Sequence, residues 1–145
     1  MSLQRRTMGR GRIIAAVSAI VIVIGCILPW FRAGSAESGI PPVEGNALAG
    51  VGILTFLAAL GVLALVALPF AAGERPVSFD RWWVYALLAL IAGAGIVLRV
   101  IGIEAEIGTF EAFLPDRAPG LWLSAAGTVG VAVGAAEIRG EQPGR

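Results

Sequence analysis

One charged residue lies inside a long apolar stretch and is the first candidate for chemistry. Residues 82–103 contain a single charged side chain, that of Arg99. An arginine inside a membrane costs about 2.5–3.5 kcal/mol on insertion scales, which favours a partner within the protein. The acidic residues Glu44, Glu104 and Glu106 fall at the same end of this stretch. We expect a structural ion pair with one of them. Snorkelling to a lipid phosphate and an anion or substrate site are the alternatives.

Most catalytic and cofactor chemistry lacks the residue types that it needs. The chain has no His and a single cysteine, Cys26. Imidazole-based haem or zinc ligation, His acid–base catalysis and an internal disulfide are therefore excluded. Ser124 and Thr128 have no accompanying base, and the acids do not follow the spacing of a calcium loop. We predict a non-catalytic protein with no metal and no cofactor.

Four long apolar segments must position these residues. The 145-residue chain is 57% hydrophobic with a mean hydropathy of +0.84, and its charges other than Arg99 lie between the apolar runs. About 20 helical residues cross a bilayer core, so each run is long enough for one span. The predicted spans are 13–31, 45–72, 82–103 and 118–136. This pattern predicts an all-α membrane bundle of four helices in up-down order, with no separate soluble domain.

The segments between the spans are short. Residues 1–12 form a basic arm, 73–81 an inner loop and 137–145 a polar tail. The loop 32–44 is rich in Gly, Ser and Pro, which favours turns and little regular structure. In 104–117, apolar residues recur at helical spacing, which predicts an amphipathic element on the outer surface. Asn46 is a candidate cap for the second helix, and Pro69 is expected to bend or end it.

Arginine placement predicts the orientation in the membrane. If both termini are cytoplasmic, eight arginines lie inside and three lie outside, together with six acids. This asymmetry is typical of the positive-inside rule and indicates a multi-pass protein of the bacterial plasma membrane. The basic arm suits anionic lipid headgroups. A nucleic-acid surface would need more basic residues than are present here. The inside arginines are Arg5, Arg6, Arg10, Arg12, Arg75, Arg81, Arg139 and Arg145, and the outside ones are Arg32, Arg99 and Arg117.

The first apolar segment also has features of a lipoprotein signal. A basic region, an apolar region and the residues Val23-Ile24-Gly25-Cys26 resemble a lipobox, whose cysteine is lipidated after cleavage. The apolar run continues to Phe31, however, where a mature lipoprotein would turn polar. We therefore favour a retained first helix with a buried thiol, with cleavage as the alternative.

Small residues recur along the last span and indicate close helix packing. One ladder could serve the core of the bundle and the other could face a partner chain. They motivate the leading hypothesis, an accessory or structural subunit that packs against a larger membrane complex or against itself. The alternative is a small oligomeric channel or transporter with Arg99 near its outer mouth. A membrane enzyme is the weakest hypothesis. The ladders are Gly120, Ser124, Thr128, Ala132 and Ala136, and Ala126, Gly130 and Gly134.

Two short motifs resemble a known group of proteins. The first span ends in Leu28-Pro29-Trp30-Phe31, and the last opens with Gly120-Leu121-Trp122-Leu123. With the Gly-rich loop between the first two spans, the chain resembles the small four-span membrane proteins of unknown function found in actinobacteria and other GC-rich bacteria. The resemblance implies a helical bundle and supplies no activity.

Overall fold

A computed structural model describes residues 8–73 and 81–142. This part of the chain is mostly helical, and four of its helices are long and apolar enough to cross a membrane. They are α1 (Arg10–Ile27), α2 (Ile53–Ala71), α3 (Trp82–Ile107) and α4 (Pro119–Glu141). The prediction of four apolar helices is therefore confirmed. Arg5, Arg6, Arg75 and Arg145, and most of the 73–81 loop, lie outside the described residues.

Neighbouring helices run antiparallel. Along the α1–α4 contact, Gly11 lies against Ile138 whereas Gly25 lies against Ser124. At one end of the bundle, the Arg139 guanidinium of α4 stands 4.9 Å from the ring centroid of Trp82, the first residue of α3. The α2–α3 pair is joined by a hydrogen bond in which the buried Thr55 hydroxyl donates to the Ala92 carbonyl at 2.9 Å. The ends of the described chain consequently lie together, and Gly11 N–H donates to the Glu141 carboxylate at 3.1 Å.

The contact between α1 and α4 is the tightest in the bundle because small residues line both sides of it. An added Cβ at Gly127 would stand 2.6 Å from Cγ1 of Ile22 and 2.8 Å from the Ser18 carbonyl oxygen. At Gly134 it would stand 2.9 Å from the Ala15 amide nitrogen. Such positions let the two backbones approach as they do in other membrane helix pairs.

Phe31–Ser35 (β1) and Ile40–Gly45 (β2) pair as an antiparallel hairpin. The prediction of little regular structure in 32–44 is therefore wrong. The turn residues make a compact connection, in which the hydroxyl and backbone groups of Ser35 and Ser38 cap each other and Gly39 takes a φ of 69°. Proline is tolerated in β2 because both strands of a two-stranded sheet are edges.

The second helix begins later than predicted, at Ile53 rather than at residue 45. Asn46 does not cap it. Its side-chain oxygen accepts from the Leu48 N–H at 3.1 Å, which makes a turn, and the N-cap position belongs to Gly52. The apolar residues 47–52 therefore form a turn in front of the helix, with Gly50 at a φ of 93°. Hydropathy alone does not distinguish such a turn from helix.

The other helix ends also differ from the predicted spans. Helix α1 ends at Ile27, because Leu28 is extended ahead of Pro29. Helix α3 continues to Ile107 and ends at Gly108, which has a φ of 67°. The predicted amphipathic segment 104–117 is consequently divided between the end of α3 and a short 3₁₀ helix, Phe110–Phe113. Helix α2 ends at Ala71, two residues after Pro69, and α4 extends to Glu141, beyond the predicted 136.

Candidate functional site at the hairpin end of the bundle

Residues 28–52 and 104–118 form a structured layer at one end of the helices, which we call the hairpin cap. It contains β1, β2, the turn before α2, the end of α3 and the 3₁₀ helix. The hairpin packs against the 3₁₀ helix through β1. The cap contains most of the acidic residues of the described chain. It has six acidic residues and two arginines. Its surface is therefore acidic.

Trp30 holds the cap to the helices. Its side chain is fully buried, and the indole N–H donates to the Gly25 carbonyl at 3.0 Å. Its backbone N–H donates to the carbonyl of Gly45 at the end of β2, at 2.7 Å. The preceding carbonyl, of Pro29, accepts from the Gly120 N–H of α4 at 3.0 Å. One dipeptide thus joins α1, the hairpin and α4.

The second sequence motif anchors the other half of the cap. The Trp122 indole N–H donates to the Phe113 carbonyl at 2.8 Å, so the first turn of α4 is tied to the 3₁₀ helix. Gly120 of the same motif lies on the backbone of α1, close to the carbonyls of Gly25 and Leu28. The two motifs noted in the sequence therefore close the same end of the bundle.

Arg99 lies beneath the cap, and no acid of residues 8–73 and 81–142 pairs with it. Its guanidinium carbon stands 5.9 Å from the Phe31 ring centroid. Its Nη1 nitrogen lies beside Gly50, where an added Cβ would be 3.2 Å away. The Nε atom is buried and has no hydrogen-bond partner among the described residues. A side chain at position 50 would crowd the guanidinium.

The three candidate acids lie elsewhere. Glu44 pairs with Arg32 across the hairpin, with 3.1 Å between Arg32 Nε and the carboxylate, because the two residues are register partners. Glu104 and Glu106 are exposed on the last turns of α3. The expected ion pair between Arg99 and one of these acids is not formed within the described residues.

A cleft of about 530 Å³ opens between the hairpin and the loop after α3. Its hairpin wall is mostly apolar, and its other wall carries the charges of Glu111 and Arg117. Large apolar side chains remain exposed at the cap, where Phe110 is 71% and Ile40 is 60% exposed. The cleft is lined by Ala33, Gly34, Ser35, Ser38, Ile40, Pro41, Val43, Ile107, Thr109, Glu111 and Arg117.

The predicted ladders of α4 do not separate into an inner and an outer face. Gly120, Ser124 and Gly134 are buried against α1, and Gly130 lies against the Ser18 side chain. Thr128 is half-buried, and its hydroxyl donates to the Ser124 carbonyl at 2.8 Å within the same helix. Ala126, Ala132 and Ala136 are exposed. The GxxxG pair formed by Gly130 and Gly134 is thus used inside the bundle.

The sequence analysis did not identify Gly127 of α4, or Gly11 and Gly25 of α1, as part of the α1–α4 contact. A spacing of four residues advances about 40° beyond a full turn of 3.6 residues, so a ladder of fours drifts off one face. The buried positions Gly120, Ser124, Gly127, Val131 and Gly134 instead alternate between steps of four and three. That alternation could have identified the face.

The remaining candidates for chemistry are used in packing. Cys26 is fully buried, and its sulfur lies 3.9 Å from the Ser124 hydroxyl. A lipid attached to this thiol would have to displace α4, which favours the retained first helix. No group of three or more His, Cys, Asp or Glu side chains is placed to hold a metal ion within residues 8–73 and 81–142.

Comparison of the chain with known protein families, with curated proteins and with solved structures found no match.

Proposed function

We propose that the protein is a non-catalytic subunit of a larger membrane complex and that its partner docks on the hairpin cap. The observation that carries this proposal is the cleft of about 530 Å³ with large exposed apolar side chains beside it. Exposed apolar patches on a polar surface are typical of protein contact sites. The acidic charge of the cap favours a partner with a basic surface.

The orientation of the proposed subunit follows from the arginines. Arg10, Arg12, Arg81 and Arg139 lie at the end of the bundle opposite the cap, near the described chain ends. By the positive-inside rule this end is cytoplasmic and the cap faces outward. We propose a bacterial plasma membrane protein of four up-down spans with both termini cytoplasmic.

Because α4 packs against α1, we place the partner contact on the hairpin cap and not on the glycines of α4. Gly120, Gly127, Gly130 and Gly134 are covered by α1, so they are not free to receive another chain. The exposed faces of the helices carry ordinary lipid-facing residues such as Leu90. The cap is thus the more distinctive surface for a partner.

A small oligomeric channel or transporter remains the alternative function, because Arg99 stands near the outer end and its Nε has no hydrogen-bond partner among the described residues. Large, fully buried side chains, including Trp30, Tyr85 and Ile22, fill the interior of the single bundle. A conducting path would therefore have to run between copies of the chain. Flux through liposomes that Arg99→Ala abolishes would favour this alternative.

Site-specific photo-crosslinking tests the docking proposal. A photoreactive phenylalanine analogue at Val43 faces the cleft, and the same analogue at Leu90, which is 70% exposed on the middle of α3, is the matched control. In native membranes we expect Val43 to yield one protein adduct of defined mass that also co-purifies in equal amount with the unmodified chain. The Leu90 probe should yield none.

Two outcomes would contradict the proposal. Adducts at Leu90 but not at Val43 would move the interface to the helices and exclude docking on the cap. Adducts at neither position, together with a purified protein that contains only copies of itself, would exclude the accessory function.

A further inference from the structure

The guanidinium of Arg99 lies at the depth in the bundle where α1 ends and α2 begins. Its guanidinium reaches Phe31, four residues after the end of α1, and Gly50, three residues before the start of α2. In the orientation proposed above, this level is the outer boundary of the membrane. Lipid phosphates lie at the same depth as such helix ends.

The described residues compensate the charge of Arg99 poorly. A centroid distance of 5.9 Å to Phe31 is at the outer limit of a cation–π interaction. Nε has no hydrogen-bond partner within residues 8–73 and 81–142, and Glu44 is already paired with Arg32. A guanidinium has five N–H donors and no acceptor, and its planar geometry matches a carboxylate or a phosphate.

The Nη1 side of the guanidinium faces Gly50, in the turn before α2. Gly50 is exposed and carries no side chain that could cover Nη1. Helix α2 starts three residues later, with no acid in its first turn and no side chain capping its N-terminus. Its positive end therefore adds to the field of Arg99 beside Gly50.

We propose that Arg99 binds a phosphate group at the outer membrane surface. Arginine recognises phosphate through two parallel N–H···O bonds. At this site the phosphate oxygens would accept from the Nη groups on the Gly50 side, because Nε is buried. The phosphodiester of an anionic phospholipid headgroup presents this chemistry at the right depth, and free inorganic phosphate presents it in solution. This site is independent of the cleft in the hairpin cap.

The test compares wild type with Arg99→Gln, and uses Arg117→Gln as the control that removes an equal charge from the cap. Each purified protein, in a neutral maltoside detergent, is titrated with phosphatidylglycerol, with diacylglycerol, which lacks the phosphate, or with inorganic phosphate. Native mass spectrometry counts retained lipid, and thermal melting reports stabilisation. We expect wild type and Arg117→Gln to retain phosphatidylglycerol about tenfold better than Arg99→Gln does.

The titrations with phosphatidylglycerol and with inorganic phosphate distinguish the two sources of phosphate. Melting of Arg99→Gln in phosphate-free detergent distinguishes an effect on folding from an effect on binding. Stabilisation by phosphatidylglycerol alone identifies a lipid site, whereas equal stabilisation by inorganic phosphate identifies a site for the free anion. In phosphate-free detergent, Arg99→Gln should melt at or above the temperature of wild type, because it removes a charge that no acid of the described residues pairs. Equal lipid retention by Arg99→Gln, equal retention of diacylglycerol by wild type, or a lower melting temperature of Arg99→Gln in phosphate-free detergent would overturn the proposal.

Discussion

Replacement of Gly127 by Leu is expected to separate α4 from α1 and to destabilise the bundle strongly. The first added carbon would stand 2.8 Å from the Ser18 carbonyl oxygen and 2.6 Å from the Ile22 side chain. The carbonyl belongs to the backbone of α1 and cannot rotate away, so the helices must move apart. Overpacking of a core costs about 1–3 kcal/mol and occasionally more, and we expect about 3 kcal/mol here.

Thermal melting in detergent measures this effect. A loss of about 3 kcal/mol corresponds to a fall of about 10 °C in Tm for a chain of this size. Ala126→Leu is the matched control, because Ala126 is the preceding residue and is exposed. The control should melt close to wild type. Similar losses for Gly127→Leu and Ala126→Leu would show that α4 packs on α1 through a different face.

Because α4 packs closely on α1, bulky replacements of other glycines in α4 cannot test partner binding alone. Gly134 lies against the Ala15 backbone, and Gly130 against the Ser18 side chain. Bulky replacements at either position would perturb the α1–α4 contact before they reached any partner chain. A loss of partner binding in such variants would consequently reflect disturbed packing of the bundle. Substitutions in the hairpin cap are the better test of association with a partner.

Replacement of Trp30 by Ala is expected to release the hairpin cap from the helices. The ring is fully buried, and its N–H bond to the Gly25 carbonyl would also be lost. Removal of a buried aromatic ring costs about 3–5 kcal/mol. Thermal melting should show a large loss of stability, and limited proteolysis should cut first within the hairpin, where Ser38 and Gly39 are exposed.

Trp83→Ala is the control for the loss of an indole ring, because Trp83 is exposed on the first turn of α3. It should leave both the melting temperature and the proteolysis of the hairpin close to those of wild type. If Trp30→Ala leaves the hairpin as resistant to protease as wild type, the cap is held by contacts other than this dipeptide.

The helices could be predicted from the sequence because uncharged runs of about 20 residues carry a strong signal. Their ends could not, since tertiary and turn contacts determine them. The residues 47–52 are apolar enough for a helix, yet they form a turn whose Ala47 N–H donates to the Cys26 carbonyl at the end of α1. No local pattern contains that contact.

The hairpin was missed for a related reason. Gly, Ser and Pro between two spans indicate turns, and turns occur equally in irregular loops and in hairpins. The hairpin is tied to the bundle by the bond from the Trp30 N–H to the Gly45 carbonyl, and Arg32 pairs with Glu44 across it. Once β1 and β2 are paired, Glu44 is no longer available to Arg99, so the prediction for Arg99 depended on the hairpin.

The membrane orientation is the claim on which the docking proposal most depends, and cysteine labelling tests it most directly. Single cysteines are placed at Ser38, at the tip of the hairpin cap, and at Gly140, near the end of α4, in a Cys26→Ala background. A membrane-impermeant maleimide applied to intact cells should label Ser38→Cys. Gly140→Cys should react only after the membrane is permeabilised. Labelling of Gly140→Cys but not Ser38→Cys in intact cells would show that the protein has the opposite orientation. Labelling of both would contradict the bundle of four spans.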